Sequence, residues 1–294
     1  MKNKETENKR LKNHPCFSVE AHKKYGRLHL PVAPVCNIQC NYCIRKFDCV
    51  NETRPGVTSK VLGPFESLER VRAIMERTSG ISVIGIAGPG DPLANDATFD
   101  TLRLVHREFP EVILCISTNG LMLPDRLPDL LACGVESITV TINAVTSETA
   151  EKVYAHVLHG GKKLTGKAAA RILMHNQWEG LSEALGAGLI VKVNTIYIPG
   201  INEAEVPRIA SRAAALGAEI MNVMPLIPQA KFKDLARPSC GMLSKMRDVC
   251  RAHMPQMTHC TQCRADAFGL LGEDGDIEME LLHARIGEDY CENV

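Results

Sequence analysis

Three cysteines, Cys36, Cys40 and Cys43, lie close together in the stretch V-C-N-I-Q-C-N-Y-C. Their C-x3-C-x2-C spacing puts three thiolates on one short loop, enough to hold three irons of a cubane [4Fe–4S] cluster. The fourth iron of such a cluster stays open and can bind the amino and carboxylate groups of S-adenosylmethionine (SAM). A zinc site is the weaker alternative, because zinc prefers four ligands in C-x2-C pairs.

Nine further cysteines lie outside this triad. Cys260 and Cys263 form a C-x2-C pair in T-H-C-T-Q-C, a spacing that favours a second metal site over a role in a hydrophobic core. Cys16 lies upstream of the first predicted strand, Cys49 follows the triad, and Cys115 lies within a predicted strand. We expect these three to converge at one end of the fold, although Cys115 also fits a small buried hydrophobe.

The composition limits the classes of protein. The chain has 294 residues, 12 cysteines, 45% apolar residues and a net charge of zero. Wholesale disorder is excluded, and the zero net charge argues against a nucleic-acid partner. No apolar run approaches the roughly 20 residues that span a membrane, and the charged N-terminus is unlike a signal peptide. We therefore expect a cytoplasmic protein whose reduced cysteines are metal ligands before they are disulfides.

Strand and helix patterns alternate along the chain. Strands are predicted to begin near residues 28, 82, 112, 136, 190 and 219, with stretches of helical spacing between most of them. This alternation predicts parallel strands joined by right-handed crossovers. Six units fit a partial (βα)6 barrel of the α/β class better than a closed eight-fold barrel, which needs about 250 residues. Residues 1–13 lack periodicity and are predicted to be a disordered tail.

One face of the later strands is polar. Thr139, Thr141 and Asn143 alternate with apolar residues in the fourth strand, as Lys192 and Asn194 do in the fifth. If the apolar set packs beneath the helices, the polar set faces the barrel interior and lines a cavity that can hold a ligand. A solvated face of an antiparallel sheet is the alternative, which the intervening helices disfavour.

Polar residues and glycines also follow several strand ends, where the active-site loops of such a barrel gather. The A-G-P-G-D-P turn after the second strand allows close backbone approach to the SAM amino group, although a G-P-G sequence is usually only a turn. The other polar groups could bind a carboxylate or a ribose, or could be satisfied within the protein. The candidate cofactor-binding residues are Tyr42, Gly88, Gly90, Asp91, Thr118, Asn119, Asn143 and Asn194.

The triad, with Tyr42 before its third cysteine, is typical of the radical SAM superfamily. A longer set of motifs is more specific: H-P-C at 14–16, G-R-L-H-L-P-V-A-P at 26–34, D-C-V-N-E-T-R-P-G-V at 48–57 and A-G-P-G-D-P-L at 87–93. Together they resemble the NifB family of nitrogenase cofactor biosynthesis proteins. The resemblance covers residues 14–263, which we expect to be one radical SAM core domain with auxiliary iron–sulfur sites, followed by a C-terminal tail at 264–294.

The resemblance implies a carbide synthase, an enzyme of lyase or transferase type. Two [4Fe–4S] clusters would be fused, with a SAM-derived carbon and an extra sulfur, into the [8Fe–9S–C] precursor of the nitrogenase cofactor. One SAM would donate a methyl group to a cluster sulfide. A second SAM would be cleaved reductively to a 5′-deoxyadenosyl radical that takes hydrogen from that methyl group.

The resemblance also implies three sets of cluster ligands, in which extensions on both sides of the barrel take part. One cluster would bind SAM and two would be substrates, the last of them incompletely ligated so that it can be released. The SAM cluster would lie on Cys36, Cys40 and Cys43, the first substrate cluster on Cys16, Cys49, Cys115 and a histidine, and the second on Cys260 and Cys263.

Which histidine serves is open at this point. His29 is the first choice because it lies in the first strand, just ahead of the triad, with His14 and His22 as alternatives. A lone histidine on a strand is more often a hydrogen-bonded core residue. On the loop after the triad, Glu52 could assist proton removal from the carbon, and Arg54 could hold that loop or the SAM carboxylate. A plain surface ion pair explains these two residues equally well.

The partners implied by the resemblance are an iron–sulfur cluster donor protein, a ferredoxin-like electron donor, a NifX-like carrier and a NifEN-type scaffold. The chain ends at Val294 without a NifX-like domain, which resembles the short archaeal form and implies a separate carrier. Two other functions remain as alternatives. Another radical SAM enzyme with auxiliary clusters would usually have more C-terminal cysteines than Cys291 alone, and a non-catalytic cluster scaffold would have no use for the open triad.

Overall fold

The structure, a computed structural model, describes residues 11–51, 58, 60–271 and 273–274. In these parts of the chain, strands and helices alternate as the sequence predicts. The strands are β1 (Gly26–His29), β2 (Ile38–Cys40), β3 (Ile81–Ile86), β4 (Ile113–Thr118), β5 (Val135–Thr141), β6 (Tyr154–His159), β7 (Lys162–Leu164), β8 (Ile190–Tyr197), β9 (Ile220–Pro225), β10 (Phe268–Leu270) and β11 (Glu273–Asp274). The helices are α1 (Pro64–Arg77), α2 (Asp96–Glu108), α3 (Leu123–Ala132), α4 (Ser147–Val153), α5 (Gly166–Gly186), α6 (Val206–Leu216) and α7 (Cys240–Arg251).

A curled parallel sheet forms the body of the fold. Strands β1, β3, β4, β5, β8 and β9 lie side by side in chain order, and each neighbouring pair is parallel. These are the six predicted strands, so the partial (βα)6 barrel is confirmed. Because parallel strands share one direction, their carboxyl ends and the following loops gather at one edge of the sheet.

Helices cover the outer face of the sheet through apolar stripes. Helix α1 begins at Pro64, where the Glu66 carboxylate accepts a hydrogen bond from the Gly63 backbone N–H at 3.0 Å. Its buried face includes Val71 and Ile74, neither of which is exposed to solvent. Each such side chain stabilises the fold by about 1.5–3 kcal/mol relative to an exposed one. No helix in the described residues is long and apolar enough to cross a membrane.

The two predicted tails are shorter than the sequence suggests. Strand β10 pairs antiparallel with β1, with Arg27 opposite Gly269, so part of the predicted tail at 264–294 belongs to the main sheet. Residues 11–13 are helical, and the Asn13 carbonyl accepts a hydrogen bond from the Ser82 hydroxyl at 2.6 Å. Strand β1 would otherwise have an open edge, and short segments that cover an edge carry little periodicity to recognise.

A second, three-stranded sheet was not predicted. Strand β2 pairs antiparallel with β6, and β6 with β7. The segment 159–188, Gly- and Lys-rich at first and then helical, supplies the end of this hairpin and helix α5. Because β2 includes Cys40 of the triad, the hairpin lies directly against the loop that carries the proposed cluster ligands.

Candidate functional site

The triad cysteines line one cavity at the carboxyl edge of the sheet, here called the triad cavity. Its volume is about 390 Å³, open space at the mouth included. Cys40 and Cys43 are buried and Cys36 is partly buried. Burial is the main cause that raises the pKa of the Cys36 thiol to about 12, and it raises the pKa of Cys40 further. Iron must therefore displace these protons when it binds, as it does at any thiolate site.

The triad loop is fixed by short-range hydrogen bonds. The Gln39 side-chain amide donates to the carbonyls of Cys40 at 2.9 Å and Cys43 at 2.8 Å. On the other side, the backbone of Gly90 lies so close to that of Val35 that a Cβ atom at this position would collide with it. Glycine is therefore required at position 90, and the A-G-P-G-D turn positions the residue just ahead of the triad.

The surroundings of the three thiols fit a [4Fe–4S] cluster. The side-chain amides of Asn119 and Asn51 lie 3.8 Å and 3.9 Å from the sulfurs of Cys36 and Cys40. Arg45 lines the same cavity. Amide and guanidinium groups near the sulfurs are the means by which proteins stabilise and tune such clusters. In the described residues, no three His, Cys, Asp or Glu side chains are close enough together to hold a single metal ion. The thiolates of a cubane cluster each bind a different iron, so they lie farther apart than the ligands of one ion.

Asp91 links the strand ends beside the triad. Its buried carboxylate accepts hydrogen bonds from the Thr118 hydroxyl at 2.9 Å and 3.0 Å, the Asn119 backbone N–H at 2.6 Å and the Leu93 N–H at 3.0 Å. Burial raises its pKa to about 6, although these hydrogen bonds act in the opposite direction. At neutral pH the ionised carboxylate therefore holds Asn119 in place against the triad.

The predicted cofactor-binding residues separate into three groups. Those that line the triad cavity are Gly90, Asp91, Thr118 and Asn119, whereas Asn194 lines a second cavity. Tyr42, Asn143 and Gly88 line neither cavity. The Tyr42 hydroxyl donates to Asn51 at 2.6 Å and accepts from the Asn143 amide at 2.7 Å. Tyr42 and Asn143 therefore support the walls of the site from behind, where their polar atoms are satisfied within the protein.

The second cavity, here called the interior cavity, lies inside the curled sheet and has a volume of about 630 Å³, open space included. Ser117 on β4 lines both cavities, so the two are direct neighbours. Thr139, Lys192 and Asn222 also line the interior cavity, which confirms that the polar strand faces point inward. Four thiols line it as well: Cys16, Cys115, Cys260 and Cys263.

Distant segments bring these four thiols together. Cys115 lies on β4, and Cys16 comes from the chain ahead of β1. The segment that follows α7 is joined to β9 by hydrogen bonds that Met221 forms with Pro255 at 2.9 Å and Met257 at 2.8 Å. This connection directs Cys260 and Cys263 to the same side of the cavity as Cys16.

Arg27 fixes the last of these cysteines. Its guanidinium is buried and donates to the carbonyls of Gly269 at 2.8 Å and Leu270 at 3.0 Å. It also lies 3.1 Å from the Cys263 sulfur. One arginine thus holds β10 against β1 and orients a thiol, a role that no sequence pattern indicated.

The interior cavity is positively charged around its thiols. Burial is the main cause that raises the pKa of Cys16 to about 12, whereas the Lys192 ammonium lowers it. Lys192 is 6% exposed and projects from β8 into the cavity. Burial and Lys192 also lower the pKa of His14, which is neutral at physiological pH. A buried ammonium favours anionic occupants of this cavity.

The three candidate histidines differ in their hydrogen bonds. His29 lines the interior cavity, and its Nδ1 lies 3.0 Å from the Arg264 carbonyl oxygen. His14 also lines it, but there Nδ1 accepts a hydrogen bond from the Cys16 backbone N–H at 3.1 Å. His22 does not line the cavity and stacks on His259, with ring centroids 4.8 Å apart.

Cys49 is the one cysteine placed differently from its predicted group. It lines the triad cavity and not the interior cavity that Cys16 and Cys115 share. The neighbouring residues Arg45, Val50 and Asn51 line the triad cavity as well. Glu52 and Arg54 lie outside the described residues, as does Cys291.

Three remaining cysteines lie away from both cavities. The buried Cys133 thiol donates to the Phe99 carbonyl at 3.6 Å, Cys250 is buried on α7, and Cys240 is exposed. Sequence reasoning missed three residues of the site, namely Arg27, Arg45 and Asn51. Arg27 lies just ahead of the strand that the sequence predicts to begin near residue 28, so no local pattern marked this charge for burial.

Comparisons with known proteins identify the family. The Radical SAM superfamily matches residues 30–213. The FeMo cofactor biosynthesis protein NifB of Klebsiella pneumoniae is 47% identical over 278 residues, which cover 92% of this chain but 59% of that protein. The protein of the same name from Methanocaldococcus infernus is 44% identical over 90% of this chain and 87% of its own length. The chain thus spans less than two thirds of the first relative.

Solved structures support the fold. A radical SAM methyltransferase from Sphaerobacter thermophilus has a TM-score of 0.52 and 21% identity, over 79% of this chain and 64% of that one. Streptococcus suis SuiB has a TM-score of 0.56 and 10% identity, over 89% of this chain and 56% of that one. At these identities the likeness concerns the arrangement of strands and helices alone.

Proposed function

This chain belongs to the NifB family of the radical SAM superfamily, and on that premise we propose that it builds the iron–sulfur–carbon core of the nitrogenase cofactor. In this proposal two [4Fe–4S] clusters are substrates. They are joined around a carbon taken from SAM, with one additional sulfur, to give the [8Fe–9S–C] precursor. The named relatives are FeMo cofactor biosynthesis proteins, and their names support a role in building this cofactor.

One observation carries the proposal. The interior cavity holds four thiols from distant segments and shares a wall, at Ser117, with the triad cavity. A carbon inserted between two clusters requires them to be bound together, within reach of the SAM that supplies that carbon. A simple radical SAM enzyme needs no such second set of thiols beside its triad.

The triad cavity is proposed to hold the resident cofactors. Cys36, Cys40 and Cys43 would ligate a [4Fe–4S] cluster, which together with SAM supplies one-electron reductive cleavage of SAM when both are bound. The chain's own part is positioning. Asp91 holds Asn119 against the Cys36 sulfur through its 2.6 Å hydrogen bond. Arg45 presents a positive charge in the cavity that suits the carboxylate of SAM.

The interior cavity is proposed to hold the two substrate clusters. Cys16, Cys115, Cys260 and Cys263 would share the clusters with a histidine. Two [4Fe–4S] clusters on four thiols and one imidazole are incompletely ligated, which favours the release of a fused product. We assign Cys49 to the triad cavity because its side chain lines that cavity.

The tautomers that the hydrogen bonds of His29 and His14 require favour His29 as the nitrogen ligand. A carbonyl oxygen can only accept, so the 3.0 Å contact with Arg264 means that Nδ1 of His29 carries the proton. Its Nε2 then bears the lone pair that a metal requires, the arrangement found at most histidine ligands. In neutral His14 the situation is reversed, because Nδ1 accepts from Cys16 and Nε2 carries the proton. His14 is therefore proposed to donate a hydrogen bond to a bound cluster and not to ligate iron.

Two polar atoms of this cavity are buried without a partner. In the described residues, Nε2 of His14 and Oδ1 of Asn222 form no hydrogen bond. A buried polar group left in this state costs about 1–3 kcal/mol. Cluster sulfides accept hydrogen bonds, so a substrate cluster would satisfy His14, while the Lys192 ammonium would offset part of the cluster's negative charge.

The proposal extends to partners of stated roles. A cluster donor would load the interior cavity, a ferredoxin-like carrier would reduce the triad cluster, and a NifX-like carrier and a NifEN-type scaffold would receive the product. These partners are implied by the resemblance to the NifB family, and their roles suit a reaction that consumes clusters and electrons and yields a free cofactor precursor. The proposed contributions of Glu52 and Arg54 to proton removal stay predictions.

The test is iron and acid-labile sulfide per chain after strictly anaerobic purification and reconstitution, followed by addition of SAM and reductant. We expect about 12 irons, for three cubane clusters, formation of 5′-deoxyadenosine, and an eight-iron product that can be extracted. About 4 irons with continued 5′-deoxyadenosine formation would reduce the assignment to another radical SAM enzyme. Iron without any SAM cleavage would indicate a cluster scaffold.

A further inference from the structure

The β6–β7 hairpin is attached directly to the triad loop. Strand β6 pairs with β2 so that Tyr154 lies opposite Cys40. Just ahead of β2, the carbonyl of Asn37 accepts a hydrogen bond from the Leu158 backbone N–H at 2.7 Å. Asn37 is the residue next to Cys36, so the hairpin is bonded to the backbone beside two of the three triad cysteines.

Two further segments are bonded to the same loop through Asn41. The Lys231 backbone N–H donates to the Asn41 carbonyl at 2.9 Å. The Asn41 side-chain amide donates to the carbonyl of Lys152 at 2.7 Å. Asn41 lies between Cys40 and Cys43. Lysines from α4 and from the 3-10 helix Ala230–Phe232 are thus fixed to the triad loop by their own backbones.

These segments create a basic surface, which we call the basic face and define as Lys152, His156, Lys163 and Lys231. The three lysines are exposed. His156 lies two residues from Leu158 on β6 and therefore on the same face of the hairpin as Lys163. Burial, followed by the charges of Lys163 and Lys231, lowers the pKa of His156. In the described part of the chain Lys163 and Lys231 form no ion pair, whereas nearby Lys167 is paired with Glu148 at 2.8 Å.

The basic face stands out against the rest of the molecule. The chain as a whole has no net charge, so three exposed lysines on segments bonded to one loop are a local excess. Leu158, which is 47% exposed, lies opposite Lys163 in the hairpin and adds an apolar contact among the charges. An apolar centre with a charged rim is the usual arrangement of a protein docking surface.

We propose that the basic face is the docking surface for an acidic one-electron carrier protein that reduces the cluster of the triad. One electron leaves the carrier, which is oxidised, and enters the cluster, which is reduced. No bond forms and no proton is transferred. The inference rests on the radical SAM part of the proposed function and not on carbide synthesis. The backbone bonds of Asn37 and Asn41 bring the docked carrier beside the cluster ligands.

The experiment uses the full chain with its triad cluster reconstituted and a bacterial two-[4Fe–4S] ferredoxin of net negative charge as the probe. The variant is Lys163→Glu with Lys231→Glu. The matched control is Lys23→Glu with Lys24→Glu. Both lysines are exposed, and Lys24 lies near Gly80 at the amino edge of the sheet. Affinity is measured by calorimetry, and cluster reduction is followed by stopped-flow absorbance with reduced ferredoxin or with dithionite.

We expect the basic-face variant to lower both the affinity and the second-order rate of reduction by ferredoxin by about tenfold or more at low salt. Salt should weaken the wild-type interaction and have less effect on the variant. Reduction by dithionite should be equal in all proteins, which shows that the cluster is intact. An equal loss in the control, or no loss in the variant, would overturn the proposal.

Failure of the proposed function would look different from failure of docking. If the triad holds no cluster, neither ferredoxin nor dithionite can reduce the chain, yet calorimetry still reports whether ferredoxin binds the basic face. A short single-stranded oligonucleotide is added as a competitor. If it binds the basic face more tightly than ferredoxin does, the surface serves nucleic acid and the proposal is wrong.

Discussion

The triad cavity and the interior cavity lie on either side of Ser117, yet they are built in opposite ways. The triad comes from one loop, held by a neighbouring side chain, Gln39, through contacts of 2.8–2.9 Å. The interior cavity takes Cys16 and Cys263 from the two ends of the core. The difference teaches that local sequence can specify a set of neighbouring thiols, whereas the thiols of the interior cavity come together only through the tertiary structure.

This comparison predicts that the two cavities lose their clusters independently. Replacement of Cys40 by Ala should have the largest effect, because a thiolate of the SAM cluster is lost. We expect about 4 fewer irons per chain and no 5′-deoxyadenosine, measured by iron analysis and chromatography. Cys240→Ser, at an exposed cysteine, is the control and should change neither quantity.

Cys263→Ala tests the interior cavity, which Cys263 lines. We expect interior iron to fall by about 4 per chain while SAM cleavage continues, because the triad is untouched. Iron content, electron paramagnetic resonance and 5′-deoxyadenosine are measured together. Loss of SAM cleavage to the level of Cys40→Ala would contradict the independence of the two cavities.

The assignment of histidines is sharpened by two variants, His29→Ala and His14→Ala. In the proposed assignment His29 is a ligand and His14 a hydrogen-bond donor, so His29→Ala should lower iron retention in the interior cavity by more than about 10-fold, the loss typical of removing even an outer-shell partner. His14→Ala should have a smaller effect. The measurement is iron remaining after a timed chelator challenge. Unchanged iron and unchanged product in His29→Ala would exclude His29 as a ligand.

Arg27→Met probes the dependence of the interior cavity on tertiary contacts. The half-buried carbonyls of Gly269 and Leu270 would lose the guanidinium as a donor. We expect the free energy of unfolding to fall by more than about 2 kcal/mol, because each hydrogen bond to a charged group contributes about 1.5–3 kcal/mol. Urea denaturation of the iron-free chain measures it, with the exposed Arg103→Met as the control. Equal changes in both variants would argue against the anchoring role.

The smallest expected effect concerns Gly85. A Cβ atom there would lie 3.2 Å from Cδ2 of His29, so Gly85→Ala should displace the imidazole at a cost of about 1 kcal/mol, the low end for overpacking. Interior iron should be retained a few-fold less well in the chelator challenge, with normal SAM cleavage. Gly186→Ala has open space around its Cβ and should behave as wild type. Loss of iron from the triad cavity alone would contradict this prediction.

The sequence by itself determined the parts of this protein that depend on short-range pattern. Alternation of apolar and polar residues fixed the six parallel strands and their inward faces, since side chains on a strand point to opposite sides in turn. The C-x3-C-x2-C spacing specified the triad, because its three thiols share one loop. The C-x2-C pair at Cys260 and Cys263 was recognisable for the same reason.

Only the tertiary structure decided how the remaining groups combine. It separated Cys49 from Cys16, made part of the chain after Cys263 a strand of the main sheet, and brought the β6–β7 hairpin against the triad. It also set the tautomer of His29 through the Arg264 carbonyl. These outcomes depend on contacts between residues far apart in the chain, and such contacts leave no local periodicity in the sequence.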